Sequence, residues 1–227
     1  MIIPAYNEQK NIARVVAGVR DLGFPVLVVD DGSGDDTAQA AARSGAEVVS
    51  SAANQGKGAA LRRGIRWLLE TSRYPAAVFM DSDGQHDPAD LKNFLAALEE
   101  PASGLVIGDR MGSPGGMPLL RRWTNRLMSG VLSCFAGQRV PDTQCGYRAA
   151  RREVLSRMML ETDRFEIESE MALEAARAGV KIVSVPVRSV YENGKSHIHP
   201  GRDTARFFKF LFCYLLKHQS KKKRTSS

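Results

Sequence analysis

The chain has 227 residues, 43% hydrophobic and 25% charged, which suits one α/β domain with a full core and excludes a disordered or fibrous body. Its formal net charge of +7 and pI near 9.5 predict attraction to an anion, whether nucleic acid, nucleotide phosphates or an acidic membrane surface. The three cysteines, Cys134, Cys145 and Cys213, are odd in number and lack paired metal spacing; neither a disulfide framework nor a zinc site is expected, and a reducing cytosolic compartment fits.

Short apolar runs alternate with helical patterns from the start. Ile2-Ile3 leads to a helix over 8–20, Val26-Leu27-Val28-Val29 to a helix over 36–43, and Glu47-Val48-Val49 to a helix over 57–70 whose Ala60, Leu61, Ile65, Leu68 and Leu69 share one face. This is the βαβαβ rhythm of a parallel sheet. A strand at 76–80, a helix over 88–99 and a strand at Leu105-Val106-Ile107 follow. Residues 111–118, Met-Gly-Ser-Pro-Gly-Gly-Met-Pro, read as a loop. Beyond it come a basic amphipathic helix over 119–135, a loop holding Asp142-Thr143-Gln144-Cys145-Gly146, a helix over 166–178, a strand over 181–187 and a polar loop at 191–203. The apolar segment from Phe207 to Leu216 is ten residues long and interrupted by Lys209, well short of the ~18 to 20 apolar residues a transmembrane helix requires. The polar residues reached by Tyr6-Asn7-Glu8 argue against a leader peptide. The last residues, 217–227, are basic with nothing apolar to bury, which predicts a disordered tail.

One stretch carries chemistry by itself. Phe79-Met80-Asp81-Ser82-Asp83-Gly84-Gln85 runs an apolar strand straight into two carboxylates. Asp81, Asp83 and the Gln85 amide oxygen are hard oxygen donors, suited to Mg²⁺ or Mn²⁺. Gly84 permits a sharp turn, so the acids emerge at the carboxyl end of the sheet, where open α/β folds bind ligands. Asp87-Pro88 reads instead as the cap and first position of the next helix.

Four motifs fall in order at successive strand ends: Ile3-Pro4-Ala5-Tyr6-Asn7-Glu8, Val28-Val29-Asp30-Asp31-Gly32-Ser33, Asn54-Gln55-Gly56-Lys57-Gly58 and Asp81-Ser82-Asp83-Gly84-Gln85. Together they resemble the nucleotide-sugar half of the family-2 glycosyltransferases. Asp142 to Arg148, with Arg164-Phe165-Glu166 and Lys195-Ser196-His197 downstream, is most similar to the polyprenyl (dolichyl) phosphate sugar transferases. The resemblance spans roughly 2–210. It implies an α/β fold of GT-A type, a Rossmann-like three-layer sandwich with a mainly parallel mixed sheet. One domain over 1–216 would divide into a nucleotide-sugar half (1–108), an acceptor half (109–205) and an interfacial helix (206–216).

By that resemblance, Pro4, Tyr6 and Glu8 form a loop that holds base and ribose, and Asp31 accepts a hydrogen bond from the base; Lys57 suits either a nucleotide contact or a solvated position. Asp30, Ser33 and Asp35 read as turn and cap residues. The opening of the helix at Lys57 favours anions through its free amides, without being a P-loop. Asp83, assisted by Asp81 and Gln85, holds a Mg²⁺ or Mn²⁺ ion against the diphosphate leaving group. Arg110, one of Arg121 and Arg122, and Lys195 are the expected acceptor-phosphate ligands; Arg126 and Arg202 fit a solvated surface equally well.

Glu168 stands where hydroxyl-transferring relatives place a catalytic base, which a hydroxyl acceptor needs and an anionic lipid phosphate does not. Glu166, Glu168 and Glu170 equally suit the start of a helix. The expected reaction is inverting transfer of a hexose, mannose or glucose, from a nucleotide diphosphate sugar to a polyprenyl phosphate. Hydroxyl transfer with Glu168 as base is the alternative, and a basic nucleic-acid-binding protein the third reading, although no reading module or stacking aromatics are present. The apolar segment over 207–216, flanked by Arg202, Arg206, Lys209 and Lys217, suits either peripheral contact with an anionic membrane at its cytoplasmic face or a helix packed on the domain.

Overall fold

A computed structural model describes residues 1–112, 117–188 and 200–224, the last helix by its backbone alone at 200–203 and 218–224. Elements in chain order are β1 (Ile2–Ala5), α1 (Ile12–Arg20), β2 (Leu27–Asp30), α2 (Thr37–Arg43), β3 (Glu47–Ser50), α3 (Lys57–Thr71), β4 (Ala76–Phe79), a 3₁₀ turn (Pro88–Asp90), α4 (Leu91–Glu99) and β5 (Ser103–Asp109). Then come α5 (Leu119–Ala136), β6 (Arg148–Arg151), α6 (Arg152–Leu155), α7 (Ile167–Arg177), β7 (Lys181–Pro186) and α8 (Pro200–Arg224). The strands form one sheet in the order β3-β2-β1-β4-β6-β5-β7. β6 runs antiparallel to β4 and β5, and the other neighbouring pairs are parallel.

Every residue of β1 and β2 is buried. Successive strand residues point to opposite faces, so the sheet is covered on both sides and the expected three layers are present. α3 packs on β1 and β2, α4 on β5 to β7, and α7 on β5 and β7, while α5 lies outside, against α7 and α8. One hydrophobic cluster runs from Ile2 through Leu211.

The expected strands all form, within a residue or two of their predicted ends. β6, however, is not foreseen. Arg148-Ala149-Ala150-Arg151 has none of the β-branched or aromatic residues that mark a strand. Tertiary context decides: Ala149 and Ala150 are fully buried between β4 and β5, where small side chains leave room for α4 above. α8 also differs from expectation, its backbone running through Arg224 past the disordered tail expected from 217. Lysine and arginine are good helix formers once a packed helix precedes them.

Candidate active site

The carboxyl ends of β1 and β2 interlock through their loops. Pro4 does not belong to the loop assigned to it: it sits buried inside β1, paired with Val29. Asn7, in the left-handed region at φ +55°, donates its N–H to Ser33 Oγ at 2.9 Å and accepts from Gly34 N at 2.9 Å. Glu8 N–H donates to Thr37 Oγ1 at 2.8 Å, and Glu8 Oε2 accepts from Asn11 Nδ2 at 2.8 Å. These bonds leave Tyr6 standing free at the rim, 47% exposed.

Asp31 is engaged with the chain itself. Its Oδ2 accepts from Gln55 N at 3.0 Å and Gly56 N at 2.6 Å, fixing the turn that starts α3. The anion site expected at this helix start is likewise filled from within: Gly58 N–H and Ala59 N–H donate to Asp163 O at 2.8 and 3.2 Å. A Cβ on Gly58 would stand 2.4 Å from Thr162 O, so glycine alone admits that strand of chain.

What this docking achieves is the placement of Lys57. Its Nζ lies 2.5 Å from Asp81 Oδ1 and 2.5 Å from Glu168 Oε1, joining the first turn of α3 to the end of β4 and the first turn of α7. Burial works against the ammonium, but the two carboxylates hold its pKa well above the usual lysine range. Burial also opposes ionised Asp81, yet the Lys57 charge, with the His86 imidazole nearby, keeps its carboxyl far below the ordinary value. Asp83 moves the other way, raised by burial and by the neighbouring Asp81 charge. Its Oδ1 accepts from Gln85 N at 2.9 Å across the turn at Gly84, φ +74°. His86, unassigned from sequence, is buried with Nε2 3.8 Å from Asp81 Oδ2.

The loop before β6 closes over this cluster. A Cβ on Gly146 would fall 2.4 Å from Asp81 Oδ2, so the backbone lies directly on the carboxylate. Arg148, almost completely buried, holds the loop in place: Nε donates to Cys145 O at 2.8 Å, Nη2 to Thr143 O at 2.7 Å, and Nη1 to Glu168 O. Sequence reasoning missed this arginine because its partners are backbone carbonyls, which leave no trace in composition.

Arg110 faces the same loop. Its Nε and Nη2 donate to Asp142 Oδ2 and Oδ1 at 2.7 and 2.9 Å, with Asn125 Nδ2 on Oδ1 at 2.8 Å. This buried bidentate pair depresses the Asp142 carboxyl despite burial that opposes its charge. Glu170 takes the backbone N–H groups of Glu161 and Thr162, and Glu174 that of Met159. Of the α7 acids, then, these two tie down the approach to the helix while Glu168 alone reaches Lys57. Its other oxygen, Oε2, is buried with no hydrogen-bond partner among the described residues. Arg121 and Arg122 lie half-buried in the first turn of α5. Lys195 and His197 lie outside the described residues, as does the side chain of Arg202.

Among the described residues, no three His, Cys, Asp or Glu side chains converge as a metal cage. Two carboxylates and an amide oxygen nevertheless match how Mg²⁺ and Mn²⁺ are held when substrate phosphates complete the shell. The raised Asp83 carboxyl reflects burial and, after it, crowding with Asp81, which a bound cation would relieve.

The sequence model described as glycosyl transferase family 2 matches residues 1–159. The chain belongs to glycosyl transferase family 2. Among its relatives, glycosyltransferase AglJ of Haloferax volcanii is 36% identical over 93% of this chain and 70% of that protein. The undecaprenyl-phosphate mannosyltransferase of Micrococcus luteus is 34% identical over 88% of this chain and 87% of its own. Among solved structures, Mycobacterium tuberculosis glucosyl-3-phosphoglycerate synthase in complex with Mn²⁺, uridine diphosphate and phosphoglyceric acid aligns with a TM-score of 0.69 and 26% identity, over 86% of this chain and 70% of that one. The GT-A type of α/β fold expected of a family 2 member is the fold observed.

Proposed function

We propose that this protein is an inverting hexosyltransferase that carries mannose or glucose from a nucleotide diphosphate sugar to a polyprenyl phosphate. The observation that carries the reading is the acidic pair Asp81 and Asp83 at the carboxyl end of β4, set against the Lys57 ammonium at 2.5 Å. The acceptor class is supported by the name of the Micrococcus luteus relative, whose likeness extends along most of both chains.

In this reading Asp81, Asp83 and Gln85 hold a Mg²⁺ or Mn²⁺ ion, which when bound supplies positive charge to the departing diphosphate. Lys57 adds a fixed charge beside it. Tyr6 and Glu8 border the nucleoside, and Asp31 acts through the Gln55-Gly56 turn that sets Lys57. Arg121, Arg122 and Lys195 position the acceptor phosphate, while Arg110 shapes the covering loop through Asp142. The lipid phosphate is already an anion at pH 7 and attacks without a base; a single displacement inverts the anomeric carbon. The protein works at the cytoplasmic face of a membrane, and nucleic acid is not a partner.

One observation favours a second reading. The buried Glu168 Oε2 has no partner among the described residues, as a base awaiting a hydroxyl would be. Release of nucleoside diphosphate, measured with a polyprenyl phosphate and with saccharide hydroxyl acceptors, with divalent ion and with chelator, separates the two. Turnover on the lipid phosphate that survives Glu168→Gln supports the first; turnover only on hydroxyls, abolished by Glu168→Gln, replaces it with the second.

A further inference from the structure

We infer that the outer faces of α5 and α8 form a docking surface for an anionic lipid bilayer. The inference rests on the lipid-acceptor reading above and deepens it by naming the side of the molecule that meets the membrane.

Two observations coincide on these helices. The first is apolar exposure. On α5, Leu119 is 71% exposed, Trp123 69% and Leu127 55%; steps of four residues put all three on one stripe. Phe208, Phe212 and Leu216 make an equivalent stripe on α8, 42%, 65% and 53% exposed. The same helix buries Phe207 and Leu211, so α8 is anchored by one face and offers the other. α5 and α8 pack against each other. Exposed large side chains in such number mark an interaction surface, since a soluble monomer ordinarily scatters them.

The second is charge. α5 holds Arg121, Arg122 and Arg126 and no acid. α8 holds Arg202, Arg206, Lys209, Lys217, Lys221, Lys222, Lys223 and Arg224 against Asp203 alone. By sequence the two helices hold eleven cations and one acid, so of the chain's net +7 they carry +10 and the remainder of the protein −3, with Lys217 paired to Glu161. A protein partner would match the apolar stripes as well, but a concentration of positive charge beside exposed Trp, Leu and Phe is the complement of an acidic lipid interface. α8 is not a span: no helix among the described residues is long and apolar enough to cross a bilayer. The surface therefore lies on the membrane, in reach of a phosphate held at its headgroup level.

Trp123 and Trp67 are the only tryptophans, which makes Trp123 a reporter. The full chain is mixed with phosphatidylcholine vesicles with and without phosphatidylglycerol. We expect co-sedimentation and a blue shift of emission only with the anionic vesicles. Trp123→Ser with Leu127→Ser weakens partitioning about tenfold or more, and Lys209→Gln about fivefold. In parallel, turnover is followed with a polyprenyl phosphate embedded in vesicles and with a short, water-soluble one. The double variant loses rate on the embedded acceptor and keeps it on the soluble one. Failure of the wild type to bind anionic vesicles, or equal binding by the double variant, overturns the inference. So does a dimer in solution that the double variant converts to monomer, because the stripes would then belong to a second copy. If neither acceptor turns over while vesicle binding still depends on Trp123 and Leu127, the lipid-acceptor reading falls and the docking surface stands.

Discussion

Lys57 Nζ lies 2.5 Å from Glu168 Oε1, so the first turns of two helices far apart in sequence meet at one ion pair. The same ammonium touches Asp81, and the site is thereby built with a cation already seated on its acidic residues.

Removing that cation leaves two largely buried carboxylates facing each other. Lys57→Met is expected to destabilise the protein by about 3 kcal/mol, the low end of the range for breaking a buried pair because Asp81 is partly exposed. Urea denaturation measures this. Mn²⁺ should raise the denaturation midpoint of the variant more than that of the wild type, since the Asp81 oxygen is then unclaimed.

Asp83→Asn separates activity from stability. The wild-type carboxyl is held in a site that raises its pKa through burial and the Asp81 charge, so a neutral isostere costs the fold little. Turnover should fall about a hundredfold or more, the scale for losing a group that stabilises developing charge, while the urea midpoint stays level or rises. A fall in both would mean that Asp83 mainly supports its turn.

Gly146→Ala places a methyl group 2.4 Å from Asp81 Oδ2. Overpacking of this kind costs about 1–3 kcal/mol, and here the strain falls on a carboxylate that the proposed function assigns to the metal. Michaelis–Menten analysis of the variant should show a lowered kcat at a temperature where the protein remains folded.

The Arg110–Asp142 pair sets a pH dependence. The folded Asp142 carboxyl lies below its usual value, so its contribution is present in full above about pH 4, the unfolded value, and fades as pH falls through the folded one. Asp142→Asn should therefore cost about 3 kcal/mol at pH 7, and the gap to wild type should narrow as denaturation is repeated at progressively more acidic pH below 4.

How far these relationships could be read in advance depends on their range. Asp81 and Asp83 are legible because an apolar strand running into paired acids is a local pattern. The Asp87 cap is local too, its carboxylate accepting from Ala89 N at 2.9 Å. Local patterns misled where a group was free in sequence but claimed in space. The amides at the start of α3 look open to an anion until Asp163 fills them, and Asp31 looks available until Gln55 and Gly56 bind it. The Lys57–Glu168 contact joins helices far apart in sequence, and the carbonyl bonds of Arg148 arise only when β6 enters the sheet. Ala149 and Ala150 give no propensity signal for that event.

The position of β6 has a consequence for the nascent chain. Until residues 148–151 leave the ribosome, β4 has β1 on one side and a bare row of amide and carbonyl groups on the other, because β6 supplies its remaining partner. An open edge on an apolar strand is a template for pairing with other chains. A fragment ending at 108 would keep that edge permanently, so the stretch bearing all four strand-end motifs is not a detachable module, and its solubility depends on a strand encoded in the other half.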